Sequence, residues 1–376
     1  MPSHKLFNVP PRTKPIIRNL LIIGDSLSDR GQFMACKRLG TWLISLLFPK
    51  IPQNRFTNGL VWVDYLGMSL ANKFIINDRH RKGFREEVKL NSEDIADGII
   101  SNDKRVRKAI NRYHLKDPKQ ILYQDMDFIR SYAEGGLSNH NYNYKLCSHP
   151  FTRLLIPYLS NKMTEIKKDD LHRAAENKQE TLTIFWSGVC DISLVNNPLD
   201  KDYTQKVSLS IESLKKSTEE LIKTGYCHFI FITSPDPKFS PRANKYSADE
   251  LKIASDATQH FNDELKILKQ KLKETHPNCS VDINDINPQI QKILEDPEAY
   301  FLDKTKIKES YFHSPDYKPI KKVGDIQPAA GYLFADEVHP TTKGHFIIAQ
   351  NVENMIRSRY QLEAPNSTVS KKCGIF

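Results

Sequence analysis

The sequence predicts an α/β protein built on a parallel sheet with helices on both faces. Two observations carry this. Short apolar runs of strand length are bounded by Gly, Pro or polar turn residues and lack the polar alternation of a half-exposed strand. Longer segments with apolar residues at helical spacing separate them, and strand alternating with helix is the pattern of a parallel sheet. At 376 residues, 39% hydrophobic and 27% charged, the chain has ordinary globular composition and can bury a substantial core. Length alone admits one large domain with insertions or two smaller ones.

Leu20-Leu21-Ile22-Ile23-Gly24 reads as the first buried strand, and Asp25-Ser26-Leu27-Ser28-Asp29 as a turn leaving it. Ser26 therefore falls at the carboxyl edge of the sheet, where open α/β proteins place their chemistry. A Ser/Asp pair there also suits a helix cap. Residues 34–47 and 58–71 have helical spacing. Residues 74–118 are polar and charge-rich, which fits an insertion covering the mouth of a site or a solvated basic loop. The glycine block Tyr132-Ala133-Glu134-Gly135-Gly136 follows, then the apolar run Thr183-Ile184-Phe185-Trp186. Helical spacing returns at 202–224, a strand at 228–233, and a turn at Ser234-Pro235-Asp236-Pro237. A long amphipathic helix at 247–276, a short strand at 280–283 and a closing helix at 342–360 complete the pattern.

The chemistry-bearing residues lie at the two ends of this series. In Phe334-Ala335-Asp336-Glu337-Val338-His339-Pro340 an acid and a histidine stand three positions apart before a helix. Alone, that spacing marks a loop or a helix start. Paired with Ser26 it has a chemical meaning, because a serine hydroxyl needs a histidine to take its proton and an acid to orient the ring.

Four ordered blocks resemble the GDSL, or SGNH, hydrolases, and within them the lipases and the glycerophospholipid:cholesterol acyltransferase-like phospholipases. They are Gly24-Asp25-Ser26-Leu27-Ser28-Asp29, Arg55-Phe56-Thr57-Asn58-Gly59-Leu60-Val61-Trp62, the glycine block, and Asp336-Glu337-Val338-His339-Pro340-Thr341. The resemblance implies a flavodoxin-like three-layer sandwich. Residues 16–360 would form one hydrolase domain with an insertion at about 74–118, between an extension at 1–15 and a flexible tail at 361–376. It also implies Ser26 as nucleophile, His339 as base and Asp336 as its partner. The backbone N–H groups of Ser26 and Gly136 would face the oxyanion, and no cofactor or metal is called for.

One block departs from the family pattern. Where such enzymes carry Gly-x-Asn-Asp, this chain has Gly188-Val189-Cys190-Asp191, so Cys190 replaces the oxyanion-hole asparagine. A thiol is a weak donor, and losing one such donor lowers the rate by about 100- to 1000-fold. Asn139, Asn196 or Asn197 would be the nearest substitutes, and Cys190 also suits a small buried filler.

Two readings of function follow. The first is a serine esterase acting on phospholipid or lysophospholipid at a membrane surface, by hydrolysis or acyl transfer. The second is a lipid- or membrane-binding protein that keeps the fold with weakened turnover. Net charge of +10 suits an anionic membrane surface. Basic balance also suits nucleic acid, but no zinc-finger spacing, RNP-like motif or dense Arg/Lys tract accompanies it. The six cysteines have no paired spacing, so neither zinc nor a disulfide framework is expected. No apolar stretch has the length of a membrane span or a signal peptide, which points to the cytosol. The ending Cys373-Gly374-Ile375-Phe376 matches a prenylation motif, with Cys373 as the lipid attachment point. That modification would need a prenyltransferase, as a bacterial effector would meet inside a eukaryotic host cell.

Overall fold

The computed structural model describes residues 14–35, 54–81, 117–124, 126–142, 157–173, 175–195, 203–318 and 329–365, with scattered positions between 94 and 108. Its centre is a six-stranded sheet. Strands β1 (Ile16–Ile17), β2 (Asn19–Gly24), β3 (Gln120–Tyr123), β4 (Met126–Ser131), β5 (Thr181–Trp186), β6 (His228–Ile232), β7 (Ser280–Asn284) and β8 (Gln361–Leu362) follow in chain order. The sheet runs β3-β4-β2-β5-β6-β7, while β1 and β8 pair separately. All neighbours in the sheet are parallel except β3 and β4. Among the five parallel strands the spatial order is second, first, third, fourth, fifth, as in flavodoxin-like folds. The expected three-layer α/β sandwich is thus the observed architecture.

Strand β2 is apolar throughout because both of its faces are covered. Leu20 and Ile22 belong to one core with Ile184, Ile230 and Ile232, while Leu21 and Ile23 join the opposite core with Phe185, Phe229 and Phe231. Helices α1 (Trp62–Arg81), α6 (Asn287–Glu295) and α7 (Thr342–Arg359) contribute to the first core. Helices α2 (Leu159–Asp169), α3 (Val189–Val195), α4 (Tyr203–Lys223) and α5 (Ala248–Thr275) contribute to the second.

Three boundaries differ from the sequence reading. The helix expected at 58–71 is α1, which starts at Trp62 because Asn58 is engaged elsewhere: its Oδ1 accepts the Thr342 N–H at 2.7 Å. It also runs on through residues 74–81, which polarity had assigned to the insertion; buried Phe74 sits one turn beyond buried Leu70 and keeps the helix packed. At the far end, residues 361–365 are docked rather than part of a free tail. The Gln361 N–H reaches Pro15 O at 2.9 Å, the Glu363 N–H reaches Ile17 O at 3.0 Å, and Arg18 bridges Glu363 at 2.7 Å. Most of the expected helix at 34–47, most of the rest of the expected insertion and Cys373 lie outside the described residues.

A buried ion cluster fixes α1 against the segment after β2. Asp64 accepts Arg30 Nε at 2.7 Å and Arg55 Nε at 2.8 Å, and all three side chains are 3% exposed or less. Burial opposes a charge on Asp64, but the two guanidiniums outweigh it and hold the carboxyl below its ordinary range. Replacing Asp64 with Asn would leave two buried cations without their counter-ion. We expect Asp64→Asn to lower the unfolding free energy by about 3–5 kcal/mol, read as a lower urea midpoint at unchanged slope; a loss below about 1 kcal/mol would show that the cluster is not a structural anchor.

Candidate active site

The carboxyl ends of β2, β4 and β5 meet at one point on the sheet edge. Ser26 sits two residues past β2, Gly135 and Gly136 follow β4, and Gly188 opens the turn from β5 into α3. The His339 loop reaches the same point from the far end of the chain. There, His339 Nε2 lies 2.7 Å from Ser26 Oγ, and His339 Nδ1 lies 2.7 Å from Asp336 Oδ2.

The Asp336 loop is shaped to present this pair. Asp336 Oδ1 accepts the backbone N–H groups of Val338 and His339 at 2.8 and 2.7 Å, which folds the four residues into a tight turn. The Ala335 N–H donates to His339 O at 2.8 Å, and the Thr341 N–H to Leu333 O at 2.8 Å. Thr341 then caps α7, its Oγ1 accepting the Gly344 N–H. Two further bonds fasten the loop to the second motif: Thr57 Oγ1 donates to Pro340 O at 2.9 Å, and Asn58 receives the Thr342 N–H. The Phe56 ring stacks on the His339 imidazole, with centroids 5.3 Å apart.

Burial and charge tune the groups oppositely. Burial raises Asp336, but the adjacent His339 charge and its hydrogen bonds win and bring the carboxyl down to about 2. For His339, burial favours the neutral ring, while Asp336 and then the nearby Asp25 favour the cation; the net shift is upward. Asp25 is fully buried beneath the serine, and burial pushes it up to about 7 even though it accepts the Leu27 N–H at 3.1 Å.

The first and third motifs are bound by Asp29. Its carboxylate accepts N–H groups from Gly31, Gln32 and Phe33, and from Gly135 at 2.8 Å. Gly135 has to be glycine, since a Cβ there would meet Phe56 Cε2 at 2.4 Å. Gly136 adopts φ +79, in the left-handed region that glycine tolerates. Its N–H faces the Cys190 sulfur, which sets the thiol beside Gly136 in the wall of the cleft that Ser26 enters. Burial and the Asp25 and Asp191 carboxylates hold Cys190 well above its ordinary value, so it remains a thiol. Asn139 does not stand in for the missing amide. Its Nδ2 donates to Ser210 Oγ at 3.0 Å, and its backbone is held by Asp191. Asn196 and Asn197 lie outside the described residues.

Ser26, Gly136, Cys190 and His339 open into a cleft of about 310 Å³. Its walls are mostly apolar, from Leu27, Phe56, Trp186, Ile192, Phe239 and Ile348. The segment after β6 forms one wall, including Ser234, Asp236 and Arg242. Sequence reading placed Ser234-Pro235-Asp236-Pro237 at the sheet edge but did not single out Arg242, which is in no motif, and gave Phe56 only as a member of the second block, with no role of its own. Among the described residues no group of three or more His, Cys, Asp or Glu side chains is arranged to hold a metal, and no helix is long and apolar enough to cross a membrane.

The chain is 25% identical over 235 residues to the secreted effector protein SseJ of Salmonella typhimurium, which covers 62% of this chain and 51% of that protein. It is 24% identical over 351 residues to the anther-specific proline-rich protein APG of Arabidopsis thaliana, covering 87% and 59%. It is 20% identical over 389 residues to the phosphatidylcholine-sterol acyltransferase of Aeromonas hydrophila, covering 94% of each. The chain thus spans little more than half the length of the first two. The model of the GDSL-like lipase/acylhydrolase family matches residues 20–352, nearly the whole folded region and all four motifs. The chain belongs to the GDSL-like lipase/acylhydrolase family.

Proposed function

We propose that this protein is a serine acylhydrolase that cleaves, or passes to an alcohol, the fatty-acyl groups of phospholipids or lysophospholipids at a lipid surface. The observation that carries the reading is the relay of Ser26, His339 and Asp336, two hydrogen bonds of 2.7 Å each, at the mouth of an apolar cleft. Kinship with the Aeromonas acyltransferase, named for phosphatidylcholine and sterol, favours lipid esters over other acyl donors.

In this reading Ser26 Oγ attacks the ester carbonyl as its proton passes to His339 Nε2, with Asp336 steadying the imidazolium. The oxyanion is met by the N–H groups of Ser26 and Gly136 and weakly by the Cys190 thiol. His339 then protonates the departing alcohol oxygen, leaving acyl-Ser26. Water, or an acceptor alcohol, gives its proton to His339 as it takes the acyl group, and His339 returns that proton to Ser26 Oγ, which frees the serine. The weak thiol donor favours a second reading, a lipid-binding protein with reduced turnover.

Hydrolysis of p-nitrophenyl butyrate separates the two. Ser26→Ala is expected to lower kcat by at least about 1000-fold, whereas equal background rates in both proteins would favour the binder. Cys190→Asn is expected to keep or raise kcat, by up to about 100-fold; a large fall would assign Cys190 another role. The base must be neutral to act, so kcat/KM should rise with pH through the His339 pKa, placing the acid limb above the ordinary value of 6.5. Asp25→Asn removes a charge that favours the imidazolium, so that limb should move toward lower pH. A limb that stays in place would deny Asp25 any influence on the base.

A further inference from the structure

The wall of the cleft contributed by the segment between β6 and α5 holds three cations that differ in their engagement. Lys238 Nζ is paired with Asp236 at 2.9 Å and lies over the Phe239 ring. Lys245 Nζ is bound to Glu337. Arg242 is different: its guanidinium makes no hydrogen bond within the described residues, and its one ion-pair contact, with Glu337, is at the outer limit of 4.0 Å. Of the three, it alone lines the cleft with Ser26 and His339.

The backbone of the segment is held in place, so Arg242 leaves the chain at a fixed point on the cleft wall. Prolines at 235, 237 and 241 restrict the backbone, which forms two short 3₁₀ turns at Pro237–Phe239 and Pro241–Lys245. Asp236 accepts the Lys238 N–H and Ser255 Oγ, and its own N–H donates to Asn287. The buried Asn262 clamps Ser234 on both sides, at 2.8 and 2.9 Å. The Arg242 N–H donates to Glu337 O at 3.0 Å, which joins this wall to the His339 loop. Asp236, the acid that lines the cleft, is paired with Lys238.

An apolar cleft with, among the described residues, one available guanidinium on its rim matches a molecule with an acyl chain and an anionic group close to its ester. We propose that Arg242 is a specificity-determining residue that receives the phosphodiester of a glycerophospholipid while its acyl chain occupies the apolar cleft. The planar fork of arginine fits two phosphate oxygens at once, which a lysine does not. This inference rests on the acylhydrolase reading for the reaction, but not for the binding contact itself.

The test compares dihexanoylphosphatidylcholine with dihexanoylglycerol, which has the same chains and no phosphate, below their micelle concentrations and on the alkaline plateau of each variant. Arg242→Gln should lower the ratio of kcat/KM for the two substrates by about tenfold or more, through KM of the phospholipid, with Arg242→Lys intermediate. Lys238→Gln and Lys245→Gln should change that ratio less than about twofold. An unchanged ratio in Arg242→Gln, or equal falls in all three variants, would overturn the proposal, as would wild-type protein that cleaves p-nitrophenyl butyrate but shows no preference for the phospholipid.

Binding to Ser26→Ala protein, followed by the fluorescence of Trp186 in the cleft wall, needs no turnover. Tighter binding of the phospholipid than of the diacylglycerol, lost in the Ser26→Ala/Arg242→Gln double variant, would support the contact even if wild-type protein hydrolysed no ester and the acylhydrolase reading failed. Inorganic phosphate displacing the lipid as well as glycerophosphocholine does would reassign the guanidinium to a free anion and overturn it.

Discussion

The structure turns on one closure: the 2.7 Å hydrogen bond that joins Ser26 near the start of the chain to His339 near its end. A bond across so long a loop is weak by itself, since it competes with water and with chain entropy. It persists because each partner is held by something stronger. Strand β2 is paired on both sides in the middle of a parallel sheet, so the residue that follows it has little freedom. The histidine is held by its own Asp336 turn and by the bonds from Thr57 and Asn58. The site is the place where two rigid elements arrive, and the bond between them reports that arrival rather than causing it.

Carboxyl groups gather around that meeting point to an unusual degree. Asp25, Asp29 and Asp191 are all buried at the sheet edge, and burial raises them to about 7, 6 and 6. Each is offset by backbone or hydroxyl donors: Asp29 by four N–H groups, and Asp191 by Asn139, His140 and Tyr142. The bond from Gly135 to Asp29 and those to Asp191 connect segments that are far apart in sequence, so these two acids act as fasteners between them. Of the three, Asp25 also favours a positive charge on the nearby imidazole, the state the proposed reaction passes through.

Much of this was legible in the sequence because it is written in patterns with a physical period. Strand β2 could be read from an apolar run ending in glycine, and α4, α5 and α7 from helical spacing. Ser26, Asp336 and His339 could be read because their residue types and order fit one chemistry. The hairpin of β3 and β4 was less visible, being short and set within a polar stretch whose Gln124 takes a positive φ. The last turns of α1 were hidden by their charges, because a helix packed along one stripe can end in polar residues. Arg242, and the placement of Phe56 within its motif, were silent for a different reason. Their roles depend on which surfaces the topology brings together, and nothing in their local sequence encodes that.

Phe56 shows what such a placement entails. One side of its ring fills the space a Cβ would need at Gly135, and the ring also stacks on His339. An aromatic plate is stiff, and it cannot yield to one neighbour without pressing on the other. The loop that would receive the developing negative charge in the proposed reaction, and the ring that would carry the proton, therefore share a common wall. A change of volume on either side would be transmitted as a tilt of the other, so these positions are free to vary only in concert.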